Sequence, residues 1–236
     1  MSKLPPHACR LRVRYAKDGR LAYLGHLEVM ETIMRSVRRS GLPFEVGNGF
    51  ARRMRIQFSQ ALPVGASSAG EYFDLMLSEP LDAKMALKAL RAGSPAAMAP
   101  DAAVLLPRRV VALEAWADLS RWEVSIRDGA VNAAGFDQGL AELRKEGVLH
   151  FMRGDKPRSI ELGTTLVSCE TCDVAGGVDL VLHTRSSNRG ALRPAVLVGA
   201  VCGIAPLRVC RTNQWHEHDN GQLIDPMDAD WIRVNN

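Results

Sequence analysis

Residues 9–16 put Cys9, Leu11, Val13 and Tyr15 at alternate positions with Arg10, Arg12 and Arg14 between them, the period of two that marks a half-buried strand. A chain holding this stretch must build a sheet with one apolar face, and three guanidiniums must share the other. From Gly25 the period changes. Leu27, Met30, Ile33, Met34 and Val37 recur at helical spacing, and Ser40-Gly41 ends the run after Arg35, Arg38 and Arg39, where the helix dipole favours cations. Lys17-Asp18-Gly19-Arg20 reads as the turn between strand and helix.

Residues 42–51 read as a loop loosened by Gly47 and Gly49, after which Met54, Ile56 and Phe58 alternate with Arg53, Arg55 and Gln57 in a second strand. A third strand over 71–78 carries Phe73, Leu75 and Leu77 on one side. Pro80 and Asp82 introduce a helix over 83–92, and 102–113 is the fourth strand. This β-α-β-β-α-β order is the ferredoxin-like motif. It returns from Ser120: a strand at 122–126, a helix at 135–145, strands at 148–152 and 178–182, a helix at 194–202 and a strand at 207–212. An insert over 156–177 shows no period. The expected fold is therefore α+β, with two tandem ferredoxin-like domains of antiparallel sheets, 1–113 and 114–213. A tail follows over 214–236, with five acidic residues and with Trp215 and Trp231 able to dock it.

The two halves differ electrically. Residues 1–113 hold 17 Lys and Arg against 9 Asp and Glu, a net +8, whereas 114–236 hold 13 against 17, a net −4. A polyanion is expected on the first half. No apolar run approaches the roughly 18 residues that span a bilayer, and MSKLPPHACR lacks the apolar core of a signal peptide, so the expected compartment is the cytoplasm with no membrane contact. Five cysteines, an odd number, suit reduced thiols.

In a ferredoxin-like sheet, helices cover one face and leave the other open. That open face gathers Arg10, Arg12 and Arg14 near Tyr72, Asp74 and Met76, with Arg53 and Arg55 one strand beyond and Arg52 in the adjoining loop. Clustered guanidiniums bind phosphates with an affinity that falls as salt rises, and Tyr72 is the candidate for base stacking. The rival reading pairs this face with acids such as Asp74. His26, at the start of the first helix, sits in a local positive potential that favours a neutral imidazole, the form of a general base. Cys169 and Cys172 have half the spacing of a zinc or redox site, which His216 and His218 can complete only from more than forty residues away; no metal and no cofactor are expected. Ser186, Ser187, Asn188 and Gly190 precede Pro194 as helix-capping residues, and Arg193 offers a cation beside that helix start.

Several segments together resemble the DUF2344 family of radical SAM-associated proteins: Lys17-Asp18-Gly19, Leu24-Gly25-His26-Leu27-Glu28, the run from Arg38 to Pro43, Gly49-Phe50, the run from Ala61 to Gly65, Glu71-Tyr72-Phe73-Asp74 and Leu192-Arg193-Pro194. The similarity extends over about residues 10–211. It departs from the family pattern at Gly25 and Glu28, where a serine and an aspartate are usual, and at Ala51-Arg52, where an asparagine and a proline are usual. The resemblance implies an accessory module for a separate radical SAM enzyme. This chain has no C-x3-C-x2-C set for that enzyme's cluster. The expected function is a non-catalytic adaptor that binds an anionic partner, RNA or a ribonucleoprotein. The alternatives are a metal-independent RNA-processing nuclease using His26 and a structural protein–protein module.

Overall fold

The computed structural model describes residues 10–187 and 190–235, so the expectations for Cys9 and Asn188 lie outside the described residues. The fold is α+β. In chain order the elements are β1 (Arg10–Lys17), α1 (His26–Ser40), β2 (Ile56–Phe58), β3 (Ser67–Met76), α2 (Ala83–Gly93), β4 (Pro100–Leu106) and α3 (Leu113–Trp116). Then come β5 (Leu119–Ile126), α4 (Ala133–Glu146), β6 (Val148–Arg153), β7 (Lys156–Glu161), α5 (Leu162–Thr165), β8 (Leu166–Val174), β9 (Gly177–Ser187) and β10 (Gly190–Ala191). The last are α6 (Pro194–Cys202), β11 (Arg208–Glu217), β12 (Leu223–Ile224) and α7 (Ala229–Val234). These elements form two compact units, residues 10–117 with 214–235, and Asp118–Asn213.

In the first unit β1 pairs antiparallel with β3 and β4, and β3 with β2, giving the order β2-β3-β1-β4. Leu11, Val13 and Tyr15 are buried, as the alternation requires, beneath Val29, Ile33 and Val37 of α1 and Ala86 and Leu90 of α2. Burying a Leu or Val side chain contributes about 1.5–3 kcal/mol, so this period-two stretch anchors the core. Helix α1 begins where the Gly25 amide donates to the Glu28 carboxylate at 2.7 Å, and it ends at Gly41 in the left-handed region at φ 69°.

Three expectations need correction here. The fourth strand stops at Leu106 instead of 113, because Pro107 has no N–H to continue the ladder. The second face of the sheet is not open: Leu113 and Trp116 of α3, Ile224 of β12 and Ile232 of α7 pack with Tyr72 and Leu106 into a second core. The segment expected to be a tail therefore holds regular structure, with Asp228 capping α7 by accepting from the Trp231 amide at 3.0 Å. In addition, the 42–51 loop belongs to a hairpin arm, which is described with the site.

The second unit departs from the expected strand order. β9 pairs with β5 on one side and β8 on the other, all antiparallel, while β6 pairs only with β7 in a separate two-stranded sheet. The strand expected at 148–152 is thus an arm, and the place beside β9 is taken by β8 from the insert that showed no period. Trp122, Val124, Ile126, Leu180 and Leu182 form the buried face of this sheet, with Phe136 and Leu140 of α4 and Leu197 and Val198 of α6 also buried. Gly177 is required at the β8–β9 turn because a Cβ there would lie 2.1 Å from the Ile126 carbonyl oxygen.

Candidate functional site

The three arginines of β1 have separate fates. The Arg12 guanidinium donates from Nε and Nη2 to the two Asp74 oxygens at 2.7 and 2.9 Å, and from Nη1 to the Pro226 carbonyl at 3.2 Å. It also lies 5.3 Å from the Trp116 ring centroid and is 1% exposed. Arg10 donates to Asp74 at 3.1 Å, to Gln57 at 3.3 Å and to the Arg108 carbonyl at 3.1 Å, and its Nε is buried without a partner. Only Arg14 is partly open, held by Asp101 at 2.9–3.1 Å, and this carboxylate raises the arginine's pKa further. Tyr72 is buried, its phenol pushed up chiefly by that burial. Arg10, Arg12 and Tyr72 therefore belong to the interior. A sheet face that reads as open from a period of two is closed by elements too short to carry a period of their own.

The cations that face solvent come from the chain between Glu45 and Arg55. Glu45 donates its amide to the Met76 carbonyl at 2.8 Å and accepts from the Arg55 amide at 2.9 Å, while Met76 donates to the Arg55 carbonyl at 3.0 Å. Val46 bridges Met54, the Gly47 amide donates to the Arg53 carbonyl at 2.8 Å, and the Arg52 amide closes the tip onto Gly49 at 3.0 Å. The segment is a hairpin arm pinned to the end of β3. Neither Gly47 nor Gly49 supplies its turn conformation; Arg52 does, at φ 40°, a region sparsely used by non-glycine residues. At the tip Phe50 is wholly exposed, beside the exposed Arg52 and Arg53, whose side chains have no hydrogen-bond or ion-pair partner among the described residues.

Beneath the arm lies a groove of about 350 Å³ whose charged lining is Arg10, Arg55, Arg108 and Arg109, with Met54 and Met76 on its walls. Glu45 joins two of these cations, accepting from Arg55 at 3.1 Å and from both terminal nitrogens of Arg108, one at 2.8 Å. Its carboxyl is held below the usual range, first by Arg108 and then by Arg55. Arg109 is exposed and has no partner among the described residues. With Arg10 held by Asp74, and with Glu45 shared between Arg55 and Arg108, the groove keeps an excess of cations, and an anion there is stabilised by guanidinium forks already oriented by the protein.

His26 is the exposed first residue of α1, its ring 6.0 Å from Phe58 in an edge arrangement. It borders a cavity of about 10 Å³ with Tyr15, Lys17, Val29, Leu62 and Glu71. Lys17 is buried and donates to the Ala22 and Leu24 carbonyls at 3.0 and 2.9 Å, which ties down the turn before α1. Arg193, half-buried at the N-cap of α6, has its pKa lowered by that burial and by Arg153.

Cys169 and Cys172 both lie on β8, three residues apart, and strand geometry sends them to opposite faces. Burial pushes the Cys169 thiol up to about 11. His216 stacks on Trp116 at 5.0 Å between centroids, with its Nδ1 3.1 Å from the Trp116 carbonyl, and His218 meets the edge of Trp231. Among the described residues no three His, Cys, Asp or Glu are grouped to hold a metal ion.

Phe50, Arg108 and Arg109 were not among the residues expected at the site. The signal for Phe50 was an aromatic between Gly49 and a pair of arginines in a stretch with no period; for the others it was a basic pair directly after Pro107.

The profile of DUF2344, described as an uncharacterized protein conserved in bacteria, matches residues 10–194. The chain belongs to this family. No curated protein matches its sequence. Among solved structures, it is similar to a chain in the crystal structure of a Cbf5-Nop10-Gar1 complex, at TM-score 0.47 and 11% identity over 90% of this chain and 52% of that one. It is similar also to a chain of the archaeal box H/ACA sRNP Nop10-Cbf5 complex, at TM-score 0.45 and 10% identity over 88% and 49%. A third is in an H/ACA RNP bound to a substrate RNA containing 2'-deoxyuridine, at TM-score 0.44 and 11% identity over 88% and 48%. The chain spans about half the length of each. No helix among the described residues is long and apolar enough to cross a membrane.

Proposed function

We propose that this DUF2344 chain is a non-catalytic RNA-binding accessory module, with the contact made by the 45–55 arm and the arginine groove of the first unit. The observation that carries the reading is Phe50, wholly exposed at the tip of an arm whose neighbouring Arg52 and Arg53 have no acid partner among the described residues. An exposed phenyl ring flanked by guanidiniums is a platform for a base with cations for its phosphates. The groove offers Arg55, Arg108 and Arg109 to the continuing strand. The family resemblance supports a separate radical SAM enzyme as the protein partner, with this chain presenting RNA or a ribonucleoprotein to it. On this reading the chain is built as two ferredoxin-like modules, the second one divergent, and the basic first module carries recognition.

Fluorescence anisotropy with a labelled single-stranded RNA at two salt concentrations tests the proposal. Stacking contributes about 1–3 kcal/mol per base, so Phe50→Ala should weaken binding by about 5- to 150-fold without lowering thermal stability. Wild-type affinity indifferent to salt, or a Phe50→Ala variant that binds as wild type, would overturn it. The second reading, metal-independent cleavage, draws on His26 beside the small cavity with Lys17 and Glu71. Equal RNA cleavage by wild type and His26→Ala in chelator, or no cleavage by either, removes it.

A further inference from the structure

The β6–β7 arm of the second unit carries charge that its fold does not use. Its register pairs Leu149 with Ile160, Phe151 with Arg158 and Arg153 with Lys156, so these six side chains share one face. Leu149 and Ile160 are buried, which makes this the face turned toward the body of the unit. Beyond that apolar foot the same face presents half-buried Phe151 and then exposed Arg158, Arg153 and Lys156. The two acids of the hairpin lie elsewhere, Asp155 in the turn and Glu161 on the opposite face. Gly154 takes φ 60° at the first turn position, as a tight two-residue hairpin with glycine there requires, so the arm is short and its register fixed.

None of the side chains of Arg153, Lys156 and Arg158 has a hydrogen-bond or ion-pair partner among the described residues. Arg193, half-buried at the N-cap of α6, has its pKa lowered first by burial and then by Arg153, so a further cation acts on this end of the arm. Cations two residues apart on one strand are about 6.6 Å apart, which suits a flexible phosphodiester chain drawn along the arm. Phe151, directly across from Arg158, adds an aromatic edge on the same side. A lipid surface would need exposed apolar side chains beside the cations, but the exposed Met152 is on the other face.

From this arrangement we infer that the β6–β7 arm, with Arg153, Lys156, Arg158 and Arg193, is a second single-stranded RNA contact, independent of the arm around Phe50. The inference rests on the reading of this chain as an RNA-binding module.

The full chain carrying Arg153→Glu with Arg158→Glu, and separately Arg158→Gln alone, is titrated with labelled single-stranded RNA across a salt series. Each phosphate that the protein no longer neutralises lowers the slope of log K against log salt by about 0.7, so the slope of the double variant should fall by about 1.4 and that of the single variant by about half as much. All substituted side chains are exposed, and unchanged thermal melting verifies the fold. Wild-type affinity and slope in both arm variants, while Phe50→Ala weakens binding, would overturn the second contact and leave the first. The reverse pattern would overturn the Phe50 reading and uphold the arm. Absence of salt-sensitive RNA binding by wild type would overturn both. Phosphatidylserine vesicles serve as the competing polyanion, and arm-dependent binding to vesicles with RNA affinity unaffected would refute the inference.

Discussion

Replacing Asp74 with alanine removes the one carboxylate that faces both Arg10 and Arg12 inside the first unit. Asp74 is 1% exposed, Arg12 1% and Arg10 6%, and the carboxylate accepts three hydrogen bonds at 2.7, 2.9 and 3.1 Å. Without it Arg12 keeps only the Pro226 carbonyl and the Trp116 ring, and Arg10 keeps Gln57 and the Arg108 carbonyl. Breaking a buried ion pair from one side costs about 3–5 kcal/mol, because a desolvated charge is left behind. For a chain of this size about 2–4 °C is lost per kcal/mol, so the melting temperature should fall by about 6–20 °C. Removing Arg12 as well, in Arg12→Met with Asp74→Leu, should recover only part of that loss, because buried Arg10 is still left without its carboxylate. Urea denaturation followed by far-UV circular dichroism measures both variants. The same reasoning assigns Arg12→Ala a folding defect rather than a recognition defect. An Arg12→Ala protein as stable as wild type within about 0.5 kcal/mol, but unable to bind RNA, would refute it.

Gly177→Ala should destabilise the second unit by about 1–3 kcal/mol or more, since the new Cβ collides with backbone at Ile126; a urea midpoint equal to wild type would contradict the close approach. Glu45 has a depressed folded-state pKa, so its contribution is present above the ordinary glutamate range and is lost as pH falls through the folded value. Lowering pH from 6 to 3 should therefore cost wild type more stability than Glu45→Gln, and equal losses would refute that linkage. The Cys169 thiol, pushed up to about 11, should react with iodoacetamide at pH 8 more slowly than the exposed Cys172, as peptide mass spectrometry can follow.

Elements with many residues in period were legible in the sequence. The alternation through Leu11, Val13 and Tyr15 and the spacing of Val29, Ile33 and Val37 recur in the buried core because each repeats one geometry several times. The cover over Arg12 was not legible: α3 has four residues, β12 two and α7 six, too few for any repeat, and its packing joins positions more than two hundred residues apart. β8 escaped for a different reason. Its residues Leu166, Ser168, Cys169, Glu170, Thr171, Cys172 and Asp173 pair with β9, with a register shift at Val167, and all but Leu166 are half-buried or exposed, so burial imposes little alternation on them. At the site, the arginines of β1 were correctly grouped on one face, but which of them stay in water depended on Asp74, Trp116 and Pro226. Phe50 was overlooked because an exposed aromatic leaves no mark on a pattern built from buried ones.

The first unit uses both ends of the described chain, residues 10–117 and 214–235, whereas the second is the contiguous stretch between them. On a ribosome, the second unit can complete its contacts while the first still waits for Ile224, Pro226 and Ile232. Until those residues emerge, Arg12 has its Asp74 but no roof, and Tyr72, Leu106 and Trp116 remain wetted. The first unit is thus incomplete until the whole of the second has been synthesised, and a ribosome that stalls before Ile224 leaves an apolar surface that chaperones would recognise.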